Sequence, residues 1–229
     1  SGGLDSTLAL IVCLEACSIL NIDKSNVIAI TMPGPGTSDK TLENARLLAN
    51  TAKTTFREIP IYDAVYQHLR DIGHAEQDHS IVFENAQARE RTHILMDCAN
   101  QHGGLVIGTG DMSELALGWC TYNGDHMSMY GVNSGVPKTL VKHLVEYYAD
   151  SHEDEHISKV LRAILETPVS PELLPLSDKG EIVQKTEDII GPYILHDFFL
   201  YQMMRHGFGP RKIIALAYQA WKHEYSKKE

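Results

Sequence analysis

"SGGLDSTLAL" occupies residues 1–10, and the rest of the chain is read outward from it. Two glycines lead into an apolar run of helix length, Leu4 to Leu20. Gly2 and Gly3 let backbone N–H groups approach an anion closely, and the helix that follows adds the positive end of its dipole. Ser1 and Ser6 offer hydroxyl donors. Taken alone, this is an ordinary helix start. Asp5 suits that reading too, since an acid in a first turn is favourable by about 0.3–1 kcal/mol. Against a bound phosphate, however, Asp5 is repulsive unless Mg²⁺ bridges carboxylate and phosphate oxygens.

Downstream, strand and helix patterns alternate. "NVIAITM" (26–32) reads as a short buried strand, and "PGPGTS" (33–38) as a loop. Ser38 caps a helix to about Lys53. "TTFREIPI" is a second strand, followed by a helical stretch to about Ile72. A loop over Ser80 to Glu84 precedes a long helix that Gly103 and Gly104 end, and "LVIGTG" (105–110) is the next strand. This alternation predicts an α/β fold with an open parallel sheet flanked by helices, whose ligands sit at the carboxyl ends of the strands. From Pro137 onward the pattern is a helical C-terminal extension, broken at "TPVSPELLP". Leu195 to Leu216 reads as core and packing surface.

A cation beside Asp5 would take a second carboxylate at the same edge, and "GTGDMSE" (108–114) supplies Glu114, with Asp111 as the fallback. Lys138 poses the opposite question. In "NSGVPKTLV" it enters a helix just after Pro137, where a cation opposes the dipole unless it meets solvent or shares the site with an anion. Ser170 is a cap or a donor to that same anion. Arg89 and Arg91, two apart in a helix, point in different directions, so at most one reaches a given ligand.

The 229 residues carry a net charge of -10, which argues against nucleic acid as a partner. Cys13, Cys17, Cys98 and Cys120 lie in apolar segments, and no second pair completes a zinc site with Cys13 and Cys17. His152 and His156 in "SHEDEH" read as an exposed helix start. No apolar run of about 18 residues is present and no signal peptide is visible, which predicts a cytoplasmic protein without a membrane partner.

The opening loop resembles the pyrophosphatase loop of the N-type ATP pyrophosphatase group, which has an adenine nucleotide alpha hydrolase-like fold. Residues 84–141, "ENAQARERTHILMDCANQ…GVPKTLV", are similar to the NAD synthetase region of that group, and the likeness spans the chain. "ELALGWCTYNGDHMSMYGVNSGVPKT" is similar to the glutamine-dependent branch in particular. The resemblance implies a ligase that amidates deamido-NAD with ATP and ammonia through an acyl-adenylate. It implies ATP contacts from Ser1, Gly2, Gly3, Asp5, Ser6, Thr109, Lys138 and Ser170, with Mg²⁺ on Asp5 and Glu114. Asp5 and Lys138 would carry the chemistry, and Arg89 would meet deamido-NAD.

This chain departs from the short ammonia-dependent enzymes at two places. Tyr122 stands where they have a lysine, and Met129 where they have an aspartate. The resemblance also implies an upstream glutaminase domain supplying ammonia, a chain trimmed at both ends, and a homodimer or higher homo-oligomer. The competing readings are another amidotransferase of the group, such as a GMP synthetase domain, and a non-catalytic ATP-binding module. The latter has no use for paired Asp5 and Glu114.

Overall fold

The computed structural model describes residues 2–75, 77–124, 126–166 and 186–225. The first half alternates as its sequence predicts. Helix α1 (Leu4–Leu20) is followed by a short 3₁₀ turn and strand β1 (Ile28–Thr31). Then come α2 (Asp39–Thr51), β2 (Thr55–Glu58), α3 (Tyr62–Asp71) and α4 (Ile81–His102). Strand β3 (Ile107–Gly108), α5 (Met112–Leu117) and β4 (Tyr130–Gly131) complete this half. The remainder is helical: α6 (Lys138–Ser151), α7 (Glu155–Leu165), α8 (Thr186–Ile190), α9 (Tyr193–His206) and α10 (Pro210–Trp221). Among the described residues no helix is long and apolar enough to cross a membrane.

Local chemistry accounts for the boundaries. The Ser38 hydroxyl accepts the Thr41 N–H and starts α2 as its cap. Gly103 ends α4 in the left-handed conformation, φ 62°, from which its N–H reaches back to the last turn. Ser80 is already the N-cap of α4, so residues 81–84 belong to the helix and not to a loop.

The sheet is more divided than the sequence pattern predicts. β1 pairs with β2 in parallel, Ile28 opposite Thr55, and β3 pairs with β4 in parallel, Ile107 opposite Tyr130. Among the described residues these two-stranded pairs are not joined by a ladder. β3 stays short at a close approach: a Cβ on Gly108 would lie 2.2 Å from the Ser128 hydroxyl.

Two clusters form the core. One joins α1, α2, α6 and α7 through Leu8, Ile11, Leu48, Val141, Val145 and Leu161. The other joins β1, α3 and α4 through Met32, Ile61, Val65, Leu69 and Phe83. The first cluster is what fixes α1 and α6 side by side, so their N-termini open onto the same space. The C-terminal helices contribute less core than their apolar run suggests. Leu195 and Ile213 are buried, whereas Tyr201, Met203, Met204 and Ile214 are exposed.

Candidate active site

Three helix starts build the site. Asp5 lies in the first turn of α1, where Gly3 is the N-cap and supplies no side-chain cap. Gly2 is packed against the beginning of α2. A Cβ there would stand 2.3 Å from the Thr41 carbonyl oxygen, so only glycine fits this approach. Asp111 caps α5 through a complete capping box: its carboxylate accepts the Glu114 N–H at 2.9 Å, and Glu114 Oε2 accepts the Asp111 N–H at 3.3 Å. Lys138 is the first residue of α6.

These elements converge on one ammonium. Lys138 Nζ is 2.8 Å from Asp5 Oδ2, 2.7 Å from Glu114 Oε1 and 2.8 Å from Asp111 Oδ2. The Asp111 contact is an ion pair by distance but is not directed as a hydrogen bond, which leaves Oδ2 without a hydrogen-bond partner. The Lys138 side chain is only 5% exposed and that of Asp111 is fully buried. A lysine at a helix N-terminus therefore opposes the dipole only in isolation; here three acids offset that cost.

Three carboxylates around one ammonium leave two negative charges in a largely buried space. A structural ion pair needs one acid, and desolvation makes surplus charge costly. Burial accordingly pushes the Asp5 carboxyl up to about 7, partly offset by Lys138 and reinforced by Glu114 and Asp111. Burial raises Glu114 as well. Burial works against the Lys138 ammonium, but Asp5, Glu114 and Asp111 outweigh it and hold the proton on. Ligand oxygens of Asp5, Asp111 and Glu114 lie within 4.8 Å of one another, and buried Asp5 Oδ1 has no hydrogen-bond partner. An all-oxygen donor set with two surplus negative charges fits a hard divalent cation such as Mg²⁺.

Asn133 fixes the site's backbone. It is fully buried, and its Nδ2 donates to the Asp5 carbonyl at 2.9 Å and to the Thr109 carbonyl at 3.0 Å. Thr109 thus joins the site through its main chain. The Ser6 hydroxyl donates to the Gly3 carbonyl at 3.0 Å. Ser1 and Ser170 lie outside the described residues.

Arg89 is not part of the acid cluster. It is exposed on α4, and its Nε donates to the Tyr122 carbonyl at 3.1 Å. Tyr122 and Met129 are both exposed. Arg91 turns the other way, donating to the Met32 carbonyl at 3.2 Å and the Thr37 hydroxyl at 3.0 Å. Gln87, not singled out by its sequence context, is fully buried and accepts the Gly36 N–H at 3.0 Å. His152 ends α6, where its Nδ1 accepts the Asp154 N–H, and exposed His156 enters α7. Cys13 and Cys17 are free thiols.

The NAD synthase family profile matches residues 1–214. The chain belongs to the NAD synthase family. It is 48% identical over 227 residues to a glutamine-dependent NAD(+) synthetase of Mycobacterium leprae, covering 96% of this chain and 33% of that protein. A relative of the same description from Thermotoga maritima is 30% identical, covering 100% of this chain and 39% of its own length. The chain thus spans about a third of the curated relatives it matches. Its fold is similar to that of the glutamine-dependent NAD+ synthetase of Acinetobacter baumannii in complex with ADP. That match has a TM-score of 0.63 and 29% identity, covering 100% of this chain and 37% of that one. An NH3-dependent NAD synthetase of Campylobacter jejuni shares the fold, with a TM-score of 0.60, 23% identity and coverage of 100% of this chain and 84% of that one. The fold is therefore the N-type ATP pyrophosphatase fold of the NAD synthetases.

Proposed function

We propose that the chain is the synthetase domain of a glutamine-dependent NAD synthetase. It would amidate deamido-NAD to NAD at the expense of ATP, releasing AMP and pyrophosphate. The nicotinic acid carboxylate attacks the α-phosphorus of ATP, pyrophosphate leaves, and an acyl-adenylate forms. Ammonia then adds to the activated carbonyl and AMP departs. The ammonia comes from glutamine hydrolysed in a separate, upstream domain. A homo-oligomer working in the cytoplasm completes this proposal.

The observation that carries it is the cluster of Asp5, Asp111 and Glu114 around Lys138, seated where the N-termini of α1, α5 and α6 meet. Asp5 and Glu114 would hold Mg²⁺, with Asp111 behind them as cap and counter-charge. Bound there, the ion supplies positive charge against the departing pyrophosphate. The residues of the chain do the rest by position and charge, with no covalent enzyme intermediate. Ser1, Gly2, Gly3 and Ser6 present the loop and α1 N-terminus to the phosphates. Lys138 adds a charge that the surrounding acids keep protonated. Thr109 and Ser170 complete the ATP contacts, and Arg89 on α4 meets the dinucleotide.

Product analysis tests the reaction. With ATP, Mg²⁺, deamido-NAD and ammonium chloride, AMP and NAD should appear in equal amounts, and neither should form without deamido-NAD. AMP release that ignores deamido-NAD but requires GMP's precursor nucleotide would favour the GMP synthetase reading. ATP binding without turnover in the full-length protein would favour the non-catalytic module.

A further inference from the structure

We propose that Asp197 is a positioning residue that aims Lys138, a role that rests on Lys138 being a phosphate contact. Helix α6 begins with Pro137 at its N-cap, which offers no side-chain cap to the first-turn N–H groups. A carboxylate 58 residues further along the chain does so instead. Asp197 Oδ2 accepts the Thr139 N–H at 2.8 Å and the Thr139 hydroxyl at 2.6 Å. Its Oδ1 accepts the hydroxyl of Ser113, whose oxygen in turn accepts the Lys138 N–H at 3.0 Å.

Both arms of this carboxylate end on the backbone that presents the acid cluster. One arm holds the turn from which the Lys138 side chain leaves. The other runs through Ser113, the residue immediately before Glu114 on α5 and itself fully buried. Asp197 is 7% exposed, and its negative charge sits at a helix N-terminus, where the dipole favours it. One turn earlier on the same face of α9, the Tyr193 ring packs beside the ammonium, 5.6 Å from Nζ. Helix α9 is thus the wall against which Lys138 is set. Asp197 is the lone acid of α9, and its capping of α6 accounts for an acid at this buried position.

The test is a double-mutant cycle in the full-length protein, reading NAD formation with ammonium as nitrogen source. Asp197→Ala should lower kcat about 10- to 100-fold, with the KM for ATP moving less than about threefold. In the Lys138→Met background the same change should cost nothing further, because the residue it aims is gone. A full-speed Asp197→Ala protein, or losses that multiply in the double variant, would overturn the proposal while leaving Lys138 in its role. If Asp197→Ala fails to fold, Ser113→Ala removes the arm through Ser113 and Thr139→Val removes the hydroxyl bond of the other arm while keeping its N–H bond, and both are held to the same two outcomes. Undiminished turnover in Lys138→Met alone would overturn the reading of the site, and the aim of Asp197 with it.

Discussion

Where α1, α5 and α6 begin, four ionisable side chains share a buried space, and Asp5 Oδ1 within it has no hydrogen-bond partner. Along α4, the segment at residues 32–38 and the turn at Thr121–Gly124 are held differently. Gln87 and Arg91 bind the first through Gly36, Met32 and Thr37, while Thr92 and Arg89 bind the second through the Gly124 and Tyr122 carbonyls. The α4 side is satisfied within the chain. The acid cluster carries surplus charge that a proton on Asp5 or a cationic ligand balances. The difference separates a cluster of unbalanced charge from backbone anchored by side chains, although both present polar residues at loop ends.

The comparison breaks most visibly at Asp5. Asp5→Asn is nearly isosteric and removes charge from a site that has too much of it, so folding should be retained while turnover falls about 10²- to 10³-fold. Matched urea midpoints with lost NAD formation would be the expected pair of results; wild-type turnover would remove Asp5 from the metal site.

A smaller effect belongs to Arg89, which is exposed and outside the cluster. Arg89→Ala should raise the KM for deamido-NAD about tenfold, a loss of about 1.4 kcal/mol, and leave the KM for ATP unchanged. Equal changes for both substrates would deny it a dinucleotide role.

On the scaffold side, Gln87→Ala leaves the buried Gly36 N–H unpaired and should cost about 1–3 kcal/mol of stability. Turnover per folded molecule should change far less than with Asp5→Asn. Denaturation and initial-rate measurements on the same preparation separate these two quantities.

The gentlest probe is pH. Because burial holds the native Asp5 carboxyl near 7 instead of its ordinary 3.8, the metal-free native state binds more protons than the unfolded chain between those values. Stability therefore falls as pH rises from about 4 to about 7 on account of this group, and Glu114 acts in the same direction. Urea midpoints across that range should slope less in Asp5→Asn than in the parent; identical slopes would mean that Asp5 ionises as an exposed acid does.

Local features were legible wherever a short stretch determines its own structure. Helix α1 runs from Leu4 to Leu20 as its apolar run predicts, ending on left-handed Asn21, and Ser38 and Gly103 cap as their residue types require. Asp5 was picked out as an acid in a phosphate-type loop, Glu114 as a second carboxylate at the same edge and Lys138 as a cation opposing a helix dipole, and the fold brings all three within one site. Asp111, a fallback ligand by sequence, has a second duty as N-cap that the D-x-x-E spacing carries.

What was hidden is long-range. Asn133 bridges to Asp5 across 128 residues, and nothing in "GVNSG" distinguishes it from a turn asparagine. Asp197 left one trace, an acid inside an aromatic helix, but its partners on α5 and α6 emerge only on packing. β4 is two residues long, too short for any alternation to register.

The most direct test of the acid cluster as an ATP–Mg²⁺ site that forms an adenylate is exchange of labelled pyrophosphate into ATP without ammonia. Exchange should require both Mg²⁺ and deamido-NAD in the parent protein, and should fall about 10²- to 10³-fold in Asp5→Asn. Exchange that proceeds without deamido-NAD, or at the parent rate in Asp5→Asn, would contradict it.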